Sequence, residues 1–127
     1  MDRISFGEYL RQLRCSRVPP VTQEELANAI GRKKMTISQF ENNKNSPPQG
    51  ELLNNIIFAL SLSAEEEKNL RYLAALSRKA IPSDIADYFF DNPSICDAIR
   101  AAKNTSKDNC AWERIAEMLG NGNEKDS

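Results

Sequence analysis

Three matching helix-start signals divide this 127-residue chain more clearly than any other feature. Ser5, Thr22 and Ser63 are each followed three residues later by a Glu. In such a capping box the hydroxyl accepts a hydrogen bond from a backbone N–H group, and the Glu side chain reaches back to the first backbone N–H. Each signal therefore predicts a helix that begins at the next residue. Because no segment shows the alternation of apolar and polar residues typical of a strand, we expect an all-α fold.

Two short helices are predicted on either side of Gly31. The helix that follows Thr22 should stop at Gly31 in the left-handed conformation, and a third helix should run from after Arg32 to about Asn42. Asn43 can adopt a positive φ and turn the chain. A fourth helix is predicted by a stripe of apolar residues at helical spacing, Leu53, Ile56, Ile57 and Leu60.

The third predicted helix begins unfavourably. Arg32, Lys33 and Lys34 place three cations at the positive end of the helix dipole, which costs about 0.3–1 kcal/mol for each well-placed charge. Lys33 also stands at the N-cap position without a side chain that can accept a hydrogen bond, and a cap is typically worth about 1 kcal/mol. An anionic partner at this helix start would compensate these losses.

Composition limits the kind of protein. With 40% apolar and 28% charged residues, the chain suits one globular domain or two very small ones. No run approaches the roughly 18 apolar residues of a membrane span, and Arg11 and Arg14 interrupt the stretch where a signal peptide needs apolar residues. We therefore expect a cytoplasmic protein with no membrane partner.

The sequence offers little for catalysis or metal binding. It has no His, and it contains no Gly-rich phosphate loop, nucleophile elbow or metal-ligand spacing. Cys15, Cys96 and Cys110 are too few and too far apart for a zinc site or a disulfide framework, so we expect reduced and mostly buried thiols. Neither an enzyme nor a cofactor is expected.

Charge is distributed unevenly along the chain. The net charge of −1 conceals an N-terminal part, residues 1 to 50, with eight Lys and Arg against five Asp and Glu. Residues 51 to 127 hold nine against thirteen. The net charges are therefore +3 and −4, and any attraction to nucleic acid should come from the N-terminal part.

The segment "TQEELANAIGRKKMTISQFENNKNSPP" closely resembles the DNA-binding segment of the phage repressor, Cro and xenobiotic-response-element (XRE) family of helix-turn-helix regulators. The similarity lies in the Thr-Gln-x-x-Leu-Ala opening, the Gly turn, the Ile-Ser pair and the Glu-Asn-x-Lys ending, and it extends over roughly residues 5 to 62. This resemblance implies a five-helix, repressor-like DNA-binding domain over residues 1–62. Its partner would be double-stranded DNA.

Helical spacing and the resemblance together assign roles to the third helix and its surroundings. At about 100° per residue, one arc of this helix is expected to read bases in the major groove, through Lys34, Met35, Ser38 and Gln39. A second group is expected to contact phosphates: Gln23, Arg32, Lys33, Asn42 and Lys44. In the family the equivalent of Glu41 pairs with an Arg of the first helix, which implies a structural ion pair between Arg14 and Glu41.

Residues 63–120 are expected to form a small helical assembly or dimerisation module, followed by a disordered tail over residues 121–127. Tyr88, Phe89 and Phe90 form the densest aromatic patch, and Trp112 lies on an amphipathic helix. These four residues are candidates for a homodimer interface, because specific DNA binding usually needs two half-sites. The alternative is that they belong to an ordinary core.

The sequence leaves three functions open. The first is a sequence-specific transcriptional regulator, a repressor that binds operator DNA as a dimer. The second is an antitoxin, which uses the same domain to regulate its own expression while another segment neutralises a toxin. The third is a sensor whose acidic C-terminal half binds a ligand or an effector protein.

Overall fold

The structure, a computed structural model, describes residues 4–126, and side chains for residues 4–120. The described chain forms eight α-helices and no strand, which confirms the all-α fold. The helices are α1 (Phe6–Cys15), α2 (Gln23–Ile30), α3 (Lys34–Glu41), α4 (Gly50–Ala59), α5 (Ala64–Arg78), α6 (Ser83–Asp91), α7 (Ser94–Asn104) and α8 (Asn109–Asp126).

The predicted helix starts are present. Thr22 and Ser63 each form a complete capping box, with Glu25 and Glu66 respectively. Ser5 caps α1 by accepting from the backbone N–H of Glu8, but its hydroxyl in turn donates to the Glu8 carboxylate over 3.1 Å. The cap at Ser5 is therefore confirmed, although it lacks the second backbone bond of a capping box.

The ends of α2 and α3 also follow the predictions. Gly31 ends α2 with a φ of 71°, and Asn43, just beyond α3, has a φ of 58°. Both values lie in the left-handed region, where Gly is unstrained and Asn is tolerated better than most residues. Lys33 stands at the N-cap of α3 with no side-chain capping bond, as predicted. Helix α3 is thus set between two backbone reversals and begins without a cap.

One apolar core joins the first five helices. Its six most deeply buried large side chains come from all five of them: Leu10, Leu26, Ile37, Ile56, Leu60 and Leu70. The predicted stripe of α4 is buried as expected, and Leu73 and Ala74 of α5 complete the same core. Burying an aliphatic side chain stabilises the fold by about 1.5–3 kcal/mol, so α5 is an integral part of this structure.

The predicted domain boundary after Leu62 is too early. The chain divides into two compact units, the first ending at Asp87 and the second beginning at Tyr88. Residues up to Leu62 contain only four helices, and the fifth member of the core is α5. The sequence pattern marked the break before the Ser63 cap correctly, but it could not show that α5 packs back onto the preceding helices.

The second unit has no buried core among its described side chains. Every residue from Tyr88 to Gly120 is exposed or half-buried. Helix α8 reaches Asp126, so the backbone of residues 121–126 is helical where the sequence predicted a disordered tail, and Ser127 lies outside the described residues. A helix already under way gains one hydrogen bond for each added residue, and no Pro stops α8.

The three thiols are more exposed than the sequence predicted. Cys15 and Cys110 are exposed and Cys96 is half-buried, so the expectation of mostly buried thiols is wrong. At helical spacing, Cys15 and Cys110 lie opposite the apolar stripes of α1 and α8.

Among the described residues, no helix combines the length and the apolar character that crossing a membrane requires.

Candidate functional site

Helices α2 and α3 pack against each other across a three-residue link, Gly31 to Lys33. The inner side of α3 is apolar, since Ile37 and Phe40 are buried in the core that also holds Leu26 and Ile30 of α2. This agrees with the face that helical spacing predicted for packing. The remaining surface of α3 is therefore directed away from the core.

The outer face of α3 carries the residues predicted to read bases. Lys34 and Met35 are exposed, with 68% of Met35 accessible, whereas Ser38 and Gln39 are half-buried. Asn42 is exposed and donates from Nδ2 to the Ser38 Oγ over 3.3 Å. One polar strip with a single large apolar side chain thus runs along the helix.

Asn45 adds a contact that the sequence did not predict. Its Nδ2 donates to the Oε1 of Gln39 over 2.8 Å, from the chain that follows the turn at Asn43. The bond holds the Gln39 amide at the surface of α3. The two residues meet because the chain turns at Asn43. Their separation of 6 residues in the sequence does not predict the contact.

An open cleft lies where α1, α2 and α3 meet. Its walls include Gln23, Lys34 and Asn42, so the structure brings one predicted base-reading residue together with two predicted phosphate contacts. Arg11 also lines the cleft, and the sequence analysis missed it. The available signal was its position three residues before Arg14, which places both on adjacent positions of one helix face.

Arg14 and Glu41 form a buried ion pair, which confirms the predicted pairing. The Arg14 Nε lies 2.7 Å from Oε2 and its Nη2 lies 2.9 Å from Oε1 of Glu41, a bidentate contact. Arg14 also donates to the Val21 carbonyl, and the Gln23 Nε2 donates to Glu41 Oε1 over 3.0 Å. The Glu41 hydrogen bond raises the pKa of Arg14 above its ordinary value, against an opposing effect of burial. The pair joins α1 to α3 and removes Glu41 from the outer face.

Gln23 therefore has a second role. It stands at the first position of α2, where the resemblance placed a phosphate contact, but its side chain is half-buried and bonded to Glu41. In this conformation its Nε2 supports the ion pair. Its backbone N–H belongs to the first turn of α2, which is a favourable position for an anion.

A second set of contacts fixes the far end of α3. The Asn43 Oδ1 accepts from the backbone N–H of Gly7 over 3.2 Å, and its Nδ2 donates to the Ser5 Oγ over 3.1 Å. The sequence predicted Asn43 only as a turn residue. The structure shows that it also attaches the end of α3 to the start of α1.

Four cations next to α3 have no ion-pair partner within residues 4–120. Arg32, Lys33, Lys34 and Lys44 are exposed, and none forms an ion pair with any residue in the described part of the chain. By contrast, Arg17 is engaged, because its Nη2 lies 2.6 Å from the Glu66 carboxylate. That contact, followed by the Ser63 backbone N–H, lowers the pKa of Glu66.

The aromatic residues considered for a dimer interface are not deeply packed. Tyr88 and Phe90 are 67% and 69% exposed, and Phe89 and Trp112 are half-buried. The rings of Phe89 and Phe90 meet edge to face, with centroids 5.3 Å apart. Tyr88 and Phe90 are too exposed to belong to an ordinary core. Their role in a dimer interface stays a prediction.

No protein-family model, curated protein or solved structure matches the chain. What the protein does must therefore be inferred from its own residues and their arrangement.

Proposed function

We propose that this protein is a sequence-specific DNA-binding transcriptional regulator of the helix-turn-helix class, and a repressor. In this proposal α2, the Gly31 turn and α3 form the helix-turn-helix, with α3 as the recognition helix in the major groove. Helices α1, α4 and α5 complete a five-helix domain of the repressor-like kind. The XRE-like sequence pattern of residues 22 to 48 supports the same assignment.

The observation that supports this proposal most directly is the uncapped and positively charged start of α3. Three exposed cations, Arg32, Lys33 and Lys34, surround a helix start with no side-chain cap, and no carboxylate pairs with them in the described chain. Each such cation costs about 0.3–1 kcal/mol at the positive end of a helix dipole. Phosphate and guanine acceptors beside this helix start would turn the same charges into favourable contacts.

The outer face of α3 has the chemistry that base reading requires. Lys34 suits the O6 and N7 acceptors of guanine, Gln39 suits the N6 and N7 edge of adenine, and Met35 can contact a thymine methyl group. Ser38 completes this strip. The roles are proposed for the complex, because in the free protein Gln39 is bonded to Asn45.

Phosphate contacts would surround this strip. Asn42 is the C-cap of α3, Lys44 follows the turn at Asn43, and Arg32 and Lys33 precede the helix. Gln23 would contribute through the first turn of α2, and Arg11 in the shared cleft joins this group. Such contacts fix the position of a protein on DNA and carry no sequence information.

Repression and operator symmetry form the finer part of the proposal. One helix-turn-helix unit reads only a few base pairs, so specific binding would use two half-sites about 34–36 Å apart and a two-fold dimer. A dimer bound across a promoter would block transcription.

Binding selection on a random double-stranded DNA pool at fixed salt tests the proposal. We expect an enriched palindrome for the full chain, and a loss of enrichment for Lys34→Glu. Lys79→Glu is the matched control, since Lys79 is an exposed cation just after α5 and belongs to neither α2 nor α3. If the full chain enriches no sequence, the proposal fails, and the antitoxin or sensor function takes its place. Co-purification with a toxin, or ligand-dependent behaviour, would then separate those two functions.

A further inference from the structure

The second unit contains an apolar groove with no covering element among the described residues. Ile95, Ala98 and Ile99 of α7 and Trp112 of α8 line it, and its volume is about 450 Å³. Ile115 and Leu119 continue the α8 stripe at helical spacing, and both are exposed. The two helices thus present one continuous apolar face.

This face offers the second unit a core that its described residues lack. No residue from Tyr88 to Gly120 is classed as buried, whereas the first unit buries apolar residues from five helices. Helices without a buried side chain recover little of the entropy that ordering costs. A partner that covers the groove would supply the missing burial.

We propose that the partner is the same α7–α8 face of a second copy of this chain. The charges favour such self-association. Residues 94–104 carry Asp97 against Arg100 and Lys103, and residues 109–120 carry Glu113 and Glu117 against Arg114. Helix α7 is therefore net positive and the described side chains of α8 are net negative. Two copies related by a two-fold axis that sets α7 against the partner's α8 bring opposite charges together.

Five large side chains of this face keep accessible surface that a second copy can bury. Ile99, Ile115 and Leu119 are 45%, 41% and 67% exposed, and Ile95 and Trp112 are half-buried. A two-fold pairing also closes on itself, since each copy uses the same face.

Lys103 and Glu113 define the register of this pairing. At about 100° per residue, Lys103 lies about 90° from the centre of the apolar stripe on α7 and Glu113 about 130° from the centre of the stripe on α8. Both are exposed. They would flank the apolar contact, Lys103 of one copy beside Glu113 of the other.

The mass of the full chain in solution, measured without DNA by light scattering coupled to size exclusion, tests the proposal. We expect twice the 14.3 kDa of one chain, and a single-chain mass for Ile99→Lys at the same concentration. Phe58→Lys is the matched control, since Phe58 is 86% exposed on α4 of the first unit. This variant should stay dimeric.

A charge exchange separates a lost interface from a misfolded unit. Lys103→Glu alone should weaken association about tenfold or more by placing like charges together, and Lys103→Glu with Glu113→Lys should restore it. A single-chain mass for the wild type at every concentration overturns the proposal, as does a dimer that Ile99→Lys leaves intact. Dimer loss in Phe58→Lys alone would assign the contact to the first unit and overturn it equally. Because DNA is absent, these results do not depend on the proposed function.

Discussion

A Cβ atom built on Gly7 would stand 2.3 Å from the carbonyl oxygen of Glu41, so helix α1 touches the end of α3 backbone to backbone. The Phe40 carbonyl oxygen lies 2.5 Å from the same point. Neither oxygen can swing aside as the end of a side chain could. Gly7 is therefore required for the close approach of these helices, which also holds the Asn43 and Arg14 contacts in register.

Replacement of Gly7 by Ala tests this close approach. Ala is the better helix former by about 1 kcal/mol, but overpacking typically costs about 1–3 kcal/mol, and here the obstacle is backbone. We expect a net loss of stability in urea denaturation followed by far-UV circular dichroism. Gly120→Ala is the matched control, since nothing lies within 4 Å of a Cβ there. An unchanged or raised midpoint for Gly7→Ala would show that α1 can shift freely.

The Arg14–Glu41 pair should be costly to break on one side only. Arg14→Met or Glu41→Met leaves an unpaired buried charge, and each should lower the free energy of unfolding by about 3–5 kcal/mol. The double variant Arg14→Met with Glu41→Met should lose clearly less than the sum, because neither charge remains. Circular dichroism is the suitable probe, since Trp112 lies in the second unit. Additive losses would contradict the coupling.

Acid should weaken the fold partly through Glu66. The Arg17 hydrogen bond holds the pKa of Glu66 below its usual value of 4.5, with a further contribution from the Ser63 backbone N–H. A carboxyl group with a lowered pKa in the folded state stabilises the protein above the unfolded pKa, and this stabilisation is lost as the pH falls through the folded pKa. Above about pH 5 the contribution should be constant.

Unfolding curves at a series of pH values measure this effect. Glu66→Gln should flatten the decline in stability below about pH 4.5 relative to the wild type. Glu65→Gln is the control, because Glu65 is an exposed neighbour whose Lys68 contact is a surface pair with little expected effect. Equal slopes for the wild type and Glu66→Gln would contradict this role for Glu66.

The proposed DNA contacts separate into two mutational classes. Gln39→Ala and Lys34→Ala should relax sequence preference, each by about 1–3 kcal/mol of discrimination at one base position. Lys44→Ala should instead weaken binding to all sequences alike and reduce the salt dependence by about one charge. Titrations of matched and scrambled sites at several salt concentrations distinguish these outcomes. Equal, sequence-independent losses in all three variants would refute the base-reading assignment.

Local signals predicted much of the fold and of the candidate site. The helix starts at Thr22 and Ser63, the reversals at Gly31 and Asn43, and the inner face of α3 all follow from residue type and spacing. The pairing of Arg14 with Glu41 required the family resemblance, because 27 residues separate the two. Periodicity alone does not tell which distant residues meet.

The contacts that the sequence could not predict arise from packing between helices and loops. Asn45 beside Gln39, Asn43 on Gly7 and Arg17 on Glu66 are contacts of residues that are far apart in sequence or lie across a turn. The domain boundary failed for the same reason. The apolar stripe on α5 would have the same sequence pattern in either of two cores. The fold shows that it completes the core of the first unit.

The division of α3 into two faces bears on how this protein can evolve. Ile37, Phe40 and Glu41 carry the structural contacts, and the outer strip of Met35, Ser38 and Gln39 lies outside the apolar core. Met35 is exposed, and a surface substitution of that kind usually changes the free energy of unfolding by no more than about 0.5 kcal/mol, whereas replacing Ser38 or Gln39 would remove one surface hydrogen bond. Selection can therefore exchange the outer strip one residue at a time while the fold persists. With α3 as the recognition helix proposed above, the same scaffold would be open to new DNA specificities without passing through unfolded intermediates.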